Sequence, residues 1–369
     1  MDQYEPGYLL VTSDRIERLT RDDPRPTLPS TEFIDLGNKT ILPGFVDTHL
    51  HLPQFRIIEV GSNELLTWLN TYTYPEEARF ANPDYAAKVA GEFFDALAAN
   101  GTTTAAVYSS IHEEATDLAF SAARTKGIRA FIGKAMMDRN SPEALLEDTE
   151  ASIAGSLRLF EKWDGAENGR LRYVFTPRFA GACSMELMKR AGKIARDRGA
   201  LLQSHLSENV DEVTWVRRLF PEYPSYAAVY DAAGMLTERS IMAHCIHLTS
   251  DEIATLLRSQ VNVAFCPYSN RTLRSGTMAY ETLREKGLNI SLGTDVANGP
   301  SLAMLEQMRE AMVAAHISWP EALYLATLGG AKALGLSERI GNFESGKDAD
   351  FVVVDQSSVR EVYIRGRQI

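Results

Sequence analysis

The chain has 369 residues, with 49 Asp and Glu against 38 Lys and Arg, for a formal net charge of −11. That balance argues against nucleic acid as a partner, because gripping a phosphate backbone draws on Lys and Arg displacing counterions. Apolar residues at 45% and charged residues at 24% match a folded globular protein rather than a disordered one, and no run approaches the roughly 18 apolar residues of a membrane span.

The opening MDQYEPGYLLVTSD is acidic and lacks the basic start and apolar core of a secretory signal. Three cysteines, Cys183, Cys245 and Cys266, are sparse and odd in number, which fits a reducing compartment. A cytoplasmic protein without a membrane partner is the expectation.

In chain order, GYLLVTSDRIERL and EFIDLGNKTILPG read as strands, separated by a Pro-rich loop over residues 20–31. Eight short β-rich runs follow: GFVDTHLH (44–51), TTTAAVYSS (102–110), AFIGKAMM (130–137), RYVFTPRF (172–179), LLQSHLSE (201–208), SIMAHC (240–245), VNVAFCP (261–267) and NISLGTD (289–295). Helical patterns alternate with them. Segments 82–101 and 184–200 carry apolar residues every three or four positions, with Asn or Ser at the start and Gly at the end. The last helical pattern is PEALYLATLGGAKALGL, after which ADFVVVD and EVYIRGRQI return to strand character.

Eight β runs each followed by helix predict an α/β fold, a closed (β/α)8 barrel of the TIM type. The open doubly wound alternative lacks its Gly-rich turn after the first strand. The flanking strands predict a small β-sandwich-like domain built from both termini. The expected division is 1–43 and 338–369 for that domain and 44–337 for the barrel.

In a strand, side chains at i and i+2 share a face, so His49 and His51 project together near the end of the first run. Barrel enzymes collect reactive groups at that end. Alone the pair says little. His205 and Glu208 follow the fifth run, His244 ends the sixth and Asp295 ends the eighth. In a barrel these ends meet in one mouth, bringing four histidines and two carboxylates together. Imidazoles and a carboxylate around Zn²⁺ or Fe²⁺, with one position left for water, suit metal-assisted hydrolysis. His112, His247 and His316 read as loop, structural or surface histidines. No CxxC pair supports a thiolate site.

In order and spacing, PGFVDTHLH, TPRF, QSHLSEN, MAHCIHL, CPYSN and LGTDV resemble the amidohydrolase superfamily, and within it the guanine deaminase family. The likeness extends to LLTWLNTYTYPEEARF, NGTTTA, FIGKAMMD, TPRFAGACS and ATLGGAKALGL, covering roughly residues 41–355. It implies a zinc-dependent aminohydrolase acting on guanine, with a purine as small-molecule partner and a homodimeric assembly. It implies one zinc held by His49, His51, His205 and Asp295, with Glu208, His244 and Asp295 catalytic. Gln54, Arg178 and Phe179 would bind the purine together with His205, Glu208 and Asp295. Arg178 is then placed on the purine oxygen, Gln54 on a ring edge and Phe179 against the ring face.

Several positions depart from the family's pattern. Phe265 stands where relatives often have His, Asn298 where they usually have Gly, and Arg271 and Arg274 add charge. These are expected to flank the mouth and reshape the pocket. Shortened terminal segments are expected to reduce the β domain. Three rival readings differ in class. A cyclic-amide hydrolase would need a bridging carboxylated lysine on the fourth strand, yet Lys134 falls on the third run and the fourth presents Arg178. A deaminase of a pterin, triazine, adenosine-like or cytosine-like ring would share the metal machinery. A barrel that had lost its chemistry would be expected to have lost ligands, and here all are present.

Overall fold

A computed structural model of the chain describes residues 5–28, 30–58, 65–296 and 301–369. Strands β1 (Tyr8–Thr12) and β2 (Arg15–Thr20) form an antiparallel hairpin, and β3 (Thr40–Pro43) leads into the barrel. The barrel strands are β4 (Phe45–His51), β5 (Thr102–Tyr108), β6 (Arg129–Gly133) with the short extension β7 (Ala135–Met136), and β8 (Leu171–Pro177). They continue as β9 (Leu201–Leu206), β10 (Ser240–His244), β11 (Asn262–Phe265) and β12 (Asn289–Leu292). Each pairs in parallel with the next.

These strands are buried on both faces, which is why they read as near-continuous apolar runs rather than alternating ones. One set of side chains, including Val46, Phe131, Val174 and Ile241, packs inside the cylinder against Ala331, Leu334 and Ile340 from the segment after β12. The intervening helices start where the sequence says they should. Asn82 accepts from the amides of Asp84 and Tyr85 at the head of helix Pro83–Ala99, and Ser184 accepts from that of Leu187 at the head of Met185–Arg198. The segment 319–333 is helical throughout, with a wider π turn at Leu325–Gly329 between Trp319–Tyr324 and Gly330–Ala333.

Closure between β12 and β4 is made at the mouth. The Asp295 amide donates to the His49 carbonyl at 2.8 Å, the His51 amide to that of Val296 at 3.2 Å, and the Thr48 hydroxyl to that of Leu292 at 2.9 Å. Gly293 permits the approach, since a Cβ there would lie 2.7 Å from the Cβ of His49. The seam that shuts the barrel thus also sets two candidate ligands side by side.

After the barrel, β13 (Phe351–Asp355), β14 (Ser358–Ile364) and β15 (Arg367–Gln368) form a sheet of order β15-β14-β13-β3. Ile16 of the hairpin buries against Ala349, Phe351 and Val353, so strands from both ends share one small core. One expected strand is missing. EFID does not pair, and only Thr40–Pro43 of that segment joins the sheet. Asp35 instead accepts from the Gly37 amide in a turn with Gly37 at φ +60°, and Ile34 stays 65% exposed.

The barrel floor meets this small domain through charge. Fully buried Arg129 donates to Asp348 at 2.7 Å and pairs with Asp350 at 3.2 Å, while Arg15 and Arg339 also reach Asp348, at 2.5 and 3.0 Å. Removing one partner of a buried pair strands the other in low dielectric, at about 3–5 kcal/mol. Asp348→Ala is therefore expected to lower stability by about 3–5 kcal/mol, read as an earlier denaturant midpoint, with Km unchanged in the folded protein.

Candidate active site

Each of the strand-end residues reaches the same mouth. The Nε2 atoms of His49 and His51 both lie 3.3 Å from Asp295 Oδ1, and His205 Nε2 lies 3.2 Å from His51 Nε2. His244 Nε2 sits 3.8 Å from Asp295 Oδ2 and 3.5 Å from Glu208 Oε2. All six side chains are buried. The backbone is bent to bring them there. His244 at φ +71° and Asp295 at φ +47° occupy the left-handed region, which costs a non-glycine residue about 1–3 kcal/mol and persists where surrounding structure enforces it. For Asp295 the enforcement is visible: Asp47 accepts from the neighbouring Thr294 hydroxyl at 2.5 Å and its amide at 3.1 Å.

The protonation states decide what the cluster can hold. Burial, foremost, drives the His51 imidazole down to about 4 and lowers His49 and His205 as well, so the rings are neutral at pH 7. His205 Nδ1 lies 2.7 Å from the Arg178 carbonyl, which only accepts, so Nδ1 carries the proton and Nε2 presents a lone pair. That lone pair faces another imidazole nitrogen, and the buried Nε2 of His49 has no hydrogen-bond partner. Burial alone would raise Asp295, but the imidazoles of His49 and His51 together outweigh it and hold the carboxyl well below the usual range. Neutral nitrogen donors and one carboxylate pointing at a common centre repel one another unless a cation lies between them. The residues fit a single divalent ion. Cys266 also approaches His244 and Asp295, and burial and then the Asp295 charge push its thiol well above the usual range.

Glu208 lies beside this centre in the opposite state. Burial, then the charges of Asp295 and Glu212, push its carboxyl well above the usual range, which favours its protonated form. It is not a helix cap, since Asn209 and Glu212 form the capping box of helix Val210–Leu219. The Ser275 hydroxyl donates to its Oε1 at 3.3 Å. Two carboxyls with pKa values driven apart are the arrangement that acid and base roles require.

A pocket with about 420 Å3 of empty volume opens over the centre. Its walls include Gln54, Trp68, Arg178, Phe179, Glu208 and His244. Phe179 packs against Trp215 with centroids 5.8 Å apart. Behind the wall sits a residue for which the sequence analysis gave no role. Glu77 receives both arms of Arg178, at 2.5 and 2.9 Å, and the Gln54 amide at 3.0 Å. A signal was available: Glu77 lies three residues from Tyr74 and from Phe80, both buried, so it is a carboxylate on an apolar stripe.

Asn270 was missed as well. Its Oδ1 lies 2.8 Å from His244 Nδ1, so it accepts that ring's proton and turns the Nε2 lone pair to the centre. Asn270→Ala is expected to reduce kcat by about 10–100-fold, the usual cost of losing such a support, with far-UV dichroism unchanged.

The expectation for the departing positions comes out differently. Phe265, Arg271 and Arg274 line a second cleft with about 730 Å3 of empty volume rather than the pocket above the histidines, and Arg271 is paired with Glu310 at 2.6 Å. Asn298 lies outside the described residues. Lys134 is buried on an ion pair with Glu147 and does not reach the centre. His112 heads helix Glu113–Lys126, His247 Nε2 lies 2.7 Å from the Ser275 carbonyl, and exposed His316 ends helix Met304–Ala315.

The model of the amidohydrolase family matches residues 40–369. The chain belongs to the amidohydrolase family. Among its relatives in that family, guanine deaminase of Dictyostelium discoideum is 40% identical over 334 residues, spanning 87% of this chain and 74% of that protein. Guanine deaminase of Escherichia coli strain K12 is 39% identical over 362 residues, spanning 96% and 82%. The crystal structure of guanine deaminase from C. acetobutylicum, with guanine bound in its active site, superposes with a TM-score of 0.94 at 32% identity, covering 98% of this amidohydrolase and 94% of that chain. No helix among the described residues is long and apolar enough to cross a membrane.

Proposed function

We propose that the protein is a hydrolytic deaminase converting guanine and water to xanthine and ammonia, with one zinc ion per chain held by His49, His51, His205 and Asp295. One observation carries the reading: a donor set that demands a cation shares its pocket with a buried, hydrogen-bonding Arg178–Glu77–Gln54 wall. The kinship with guanine deaminases supports it. A zinc ion in such a site supplies Lewis acidity, which can lower the pKa of water from 15.7 toward about 7.

The remaining work falls to side chains. Arg178 offers donors to the purine carbonyl oxygen, Gln54 meets a ring edge and Phe179 the ring face. Glu208, protonated by its surroundings, delivers its proton to the ring nitrogen beside the amine-bearing carbon and makes that carbon more electrophilic. Asp295, held ionised, accepts the proton released as the water oxygen bonds to the carbon. His244 Nε2, between the two carboxyls, lies beside the incoming oxygen. The C–N bond then breaks with its electron pair on nitrogen, and a proton relayed through Glu208 or Asp295 lets it leave as ammonia.

Incubating the protein with guanine and a panel of amino-heterocycles, while measuring ammonia and the guanine-to-xanthine absorbance change, tests this. Turnover of guanine alone or foremost is the expected result. Strong turnover of adenine, a pterin or a triazine with none of guanine would replace it with the second reading, the same chemistry on another ring. A homodimer acting in the cytoplasm in purine breakdown or salvage belongs to the same proposal, and sedimentation of the purified chain tests the assembly.

A further inference from the structure

Arg178 and Gln54 both line the purine pocket, whereas Glu77 stands behind them and does not. Glu77 is 2% exposed and Arg178 4%. The carboxylate is fully engaged by the pocket wall. Oε2 accepts from Arg178 Nη1, and Oε1 accepts from both Arg178 Nη2 and Gln54 Nε2. Arg178 is further fixed by its backbone, whose carbonyl faces His205 Nδ1 and whose amide donates to Met136. The Tyr74 ring lies 5.4 Å from its guanidinium carbon.

A buried guanidinium without a counter-charge is an anion site, since any negative group entering would relieve an uncompensated charge in low dielectric. With a carboxylate bound in a two-armed fork, the net charge of the wall is zero and the remaining N–H groups act as directed hydrogen-bond donors. Such a wall favours a neutral carbonyl over an anionic oxygen, which would meet the Glu77 charge behind the arginine. We propose that Glu77 is a positioning and specificity-determining residue: it neutralises Arg178 and aligns Arg178 with Gln54, so that the pocket takes neutral oxo-purines and turns away anionic ones. This rests on the purine reading of the pocket given above.

The test uses two purines sharing a ring carbonyl but differing in charge at neutral pH: hypoxanthine, which is neutral, and urate, an anion. Each is used as an inhibitor of guanine deamination by the full-length protein. In Glu77→Gln the guanidinium loses its counter-charge while the side-chain shape is kept. Km for guanine is expected to rise about tenfold with kcat changed less, and the preference for hypoxanthine over urate to shift about a hundredfold toward urate. Glu77→Asp keeps the charge and loses the fork. It is expected to raise Km without the shift toward urate, and it serves alone should Glu77→Gln not fold. A hypoxanthine-to-urate ratio in Glu77→Gln equal to that of the unaltered protein overturns the proposal, as does a shift toward urate in Glu77→Asp. Lowered thermal stability with both ratios and Km unaltered reduces Glu77 to a structural residue and overturns it as well. Failure of the unaltered protein to release ammonia from guanine counts against the proposed function instead, so the two are separable.

Discussion

Glu208→Gln is expected to reduce guanine turnover by about 10²–10⁴-fold, the range lost with a positioned general acid or base. The substitution isolates the proton. An amide keeps the shape and can still accept from the Ser275 hydroxyl, so the pocket wall persists. It cannot hand a proton to the ring nitrogen or relay one to the departing amine. Glu208 suits that task because burial and the adjacent Asp295 and Glu212 charges push its carboxyl well above the usual range and favour the protonated form. Metal analysis of the same sample is expected to find the ion content unchanged, since Glu208 lies beyond the donor set. Turnover within tenfold of the unaltered protein would remove Glu208 from the mechanism.

Asp295→Asn is expected to abolish turnover to below about one part in 10³ and to strip most of the metal. Asp295 is the one anionic donor among three neutral imidazoles, so an amide removes the charge that offsets the cation. It also removes the base proposed for the attacking water. Asn is the informative replacement because it tolerates the left-handed φ of +47° better than other uncharged residues do. The Asp295 amide bond to His49 that closes the barrel can therefore survive. Full metal content in this variant, measured by plasma emission, would contradict the ligand assignment.

Much of this was legible in the sequence because barrel geometry converts position into proximity. His49, His51, His205, His244 and Asp295 each end a β run, and a parallel barrel gathers such ends at one rim whatever lies between them. The capped helices were legible for a local reason, since Asn82 and Ser184 satisfy amides two or three residues away. What stayed hidden depends on long-range partners. Glu77 meets Arg178 across 101 residues, and Asn270 meets His244 across 26, with nothing in either local pattern naming the other half. The EFID segment shows the opposite failure: its alternation promises a strand, but the chain turns at Asp35 and Gly37 and does not pair until Thr40. Arg271 looked like a charge at the mouth because it follows a strand end. It pairs instead with Glu310, because it sits near the end of the short helix Pro267–Thr272 rather than at the strand end itself.

One cation and one purine sharing a pocket is the central claim, and a single preparation can test both parts at once. Metal content per chain, measured alongside ammonia and xanthine formed from guanine, is expected to give one ion per chain and one ammonia per xanthine. Two ions per chain, or guanine left intact by protein carrying its metal, would contradict it.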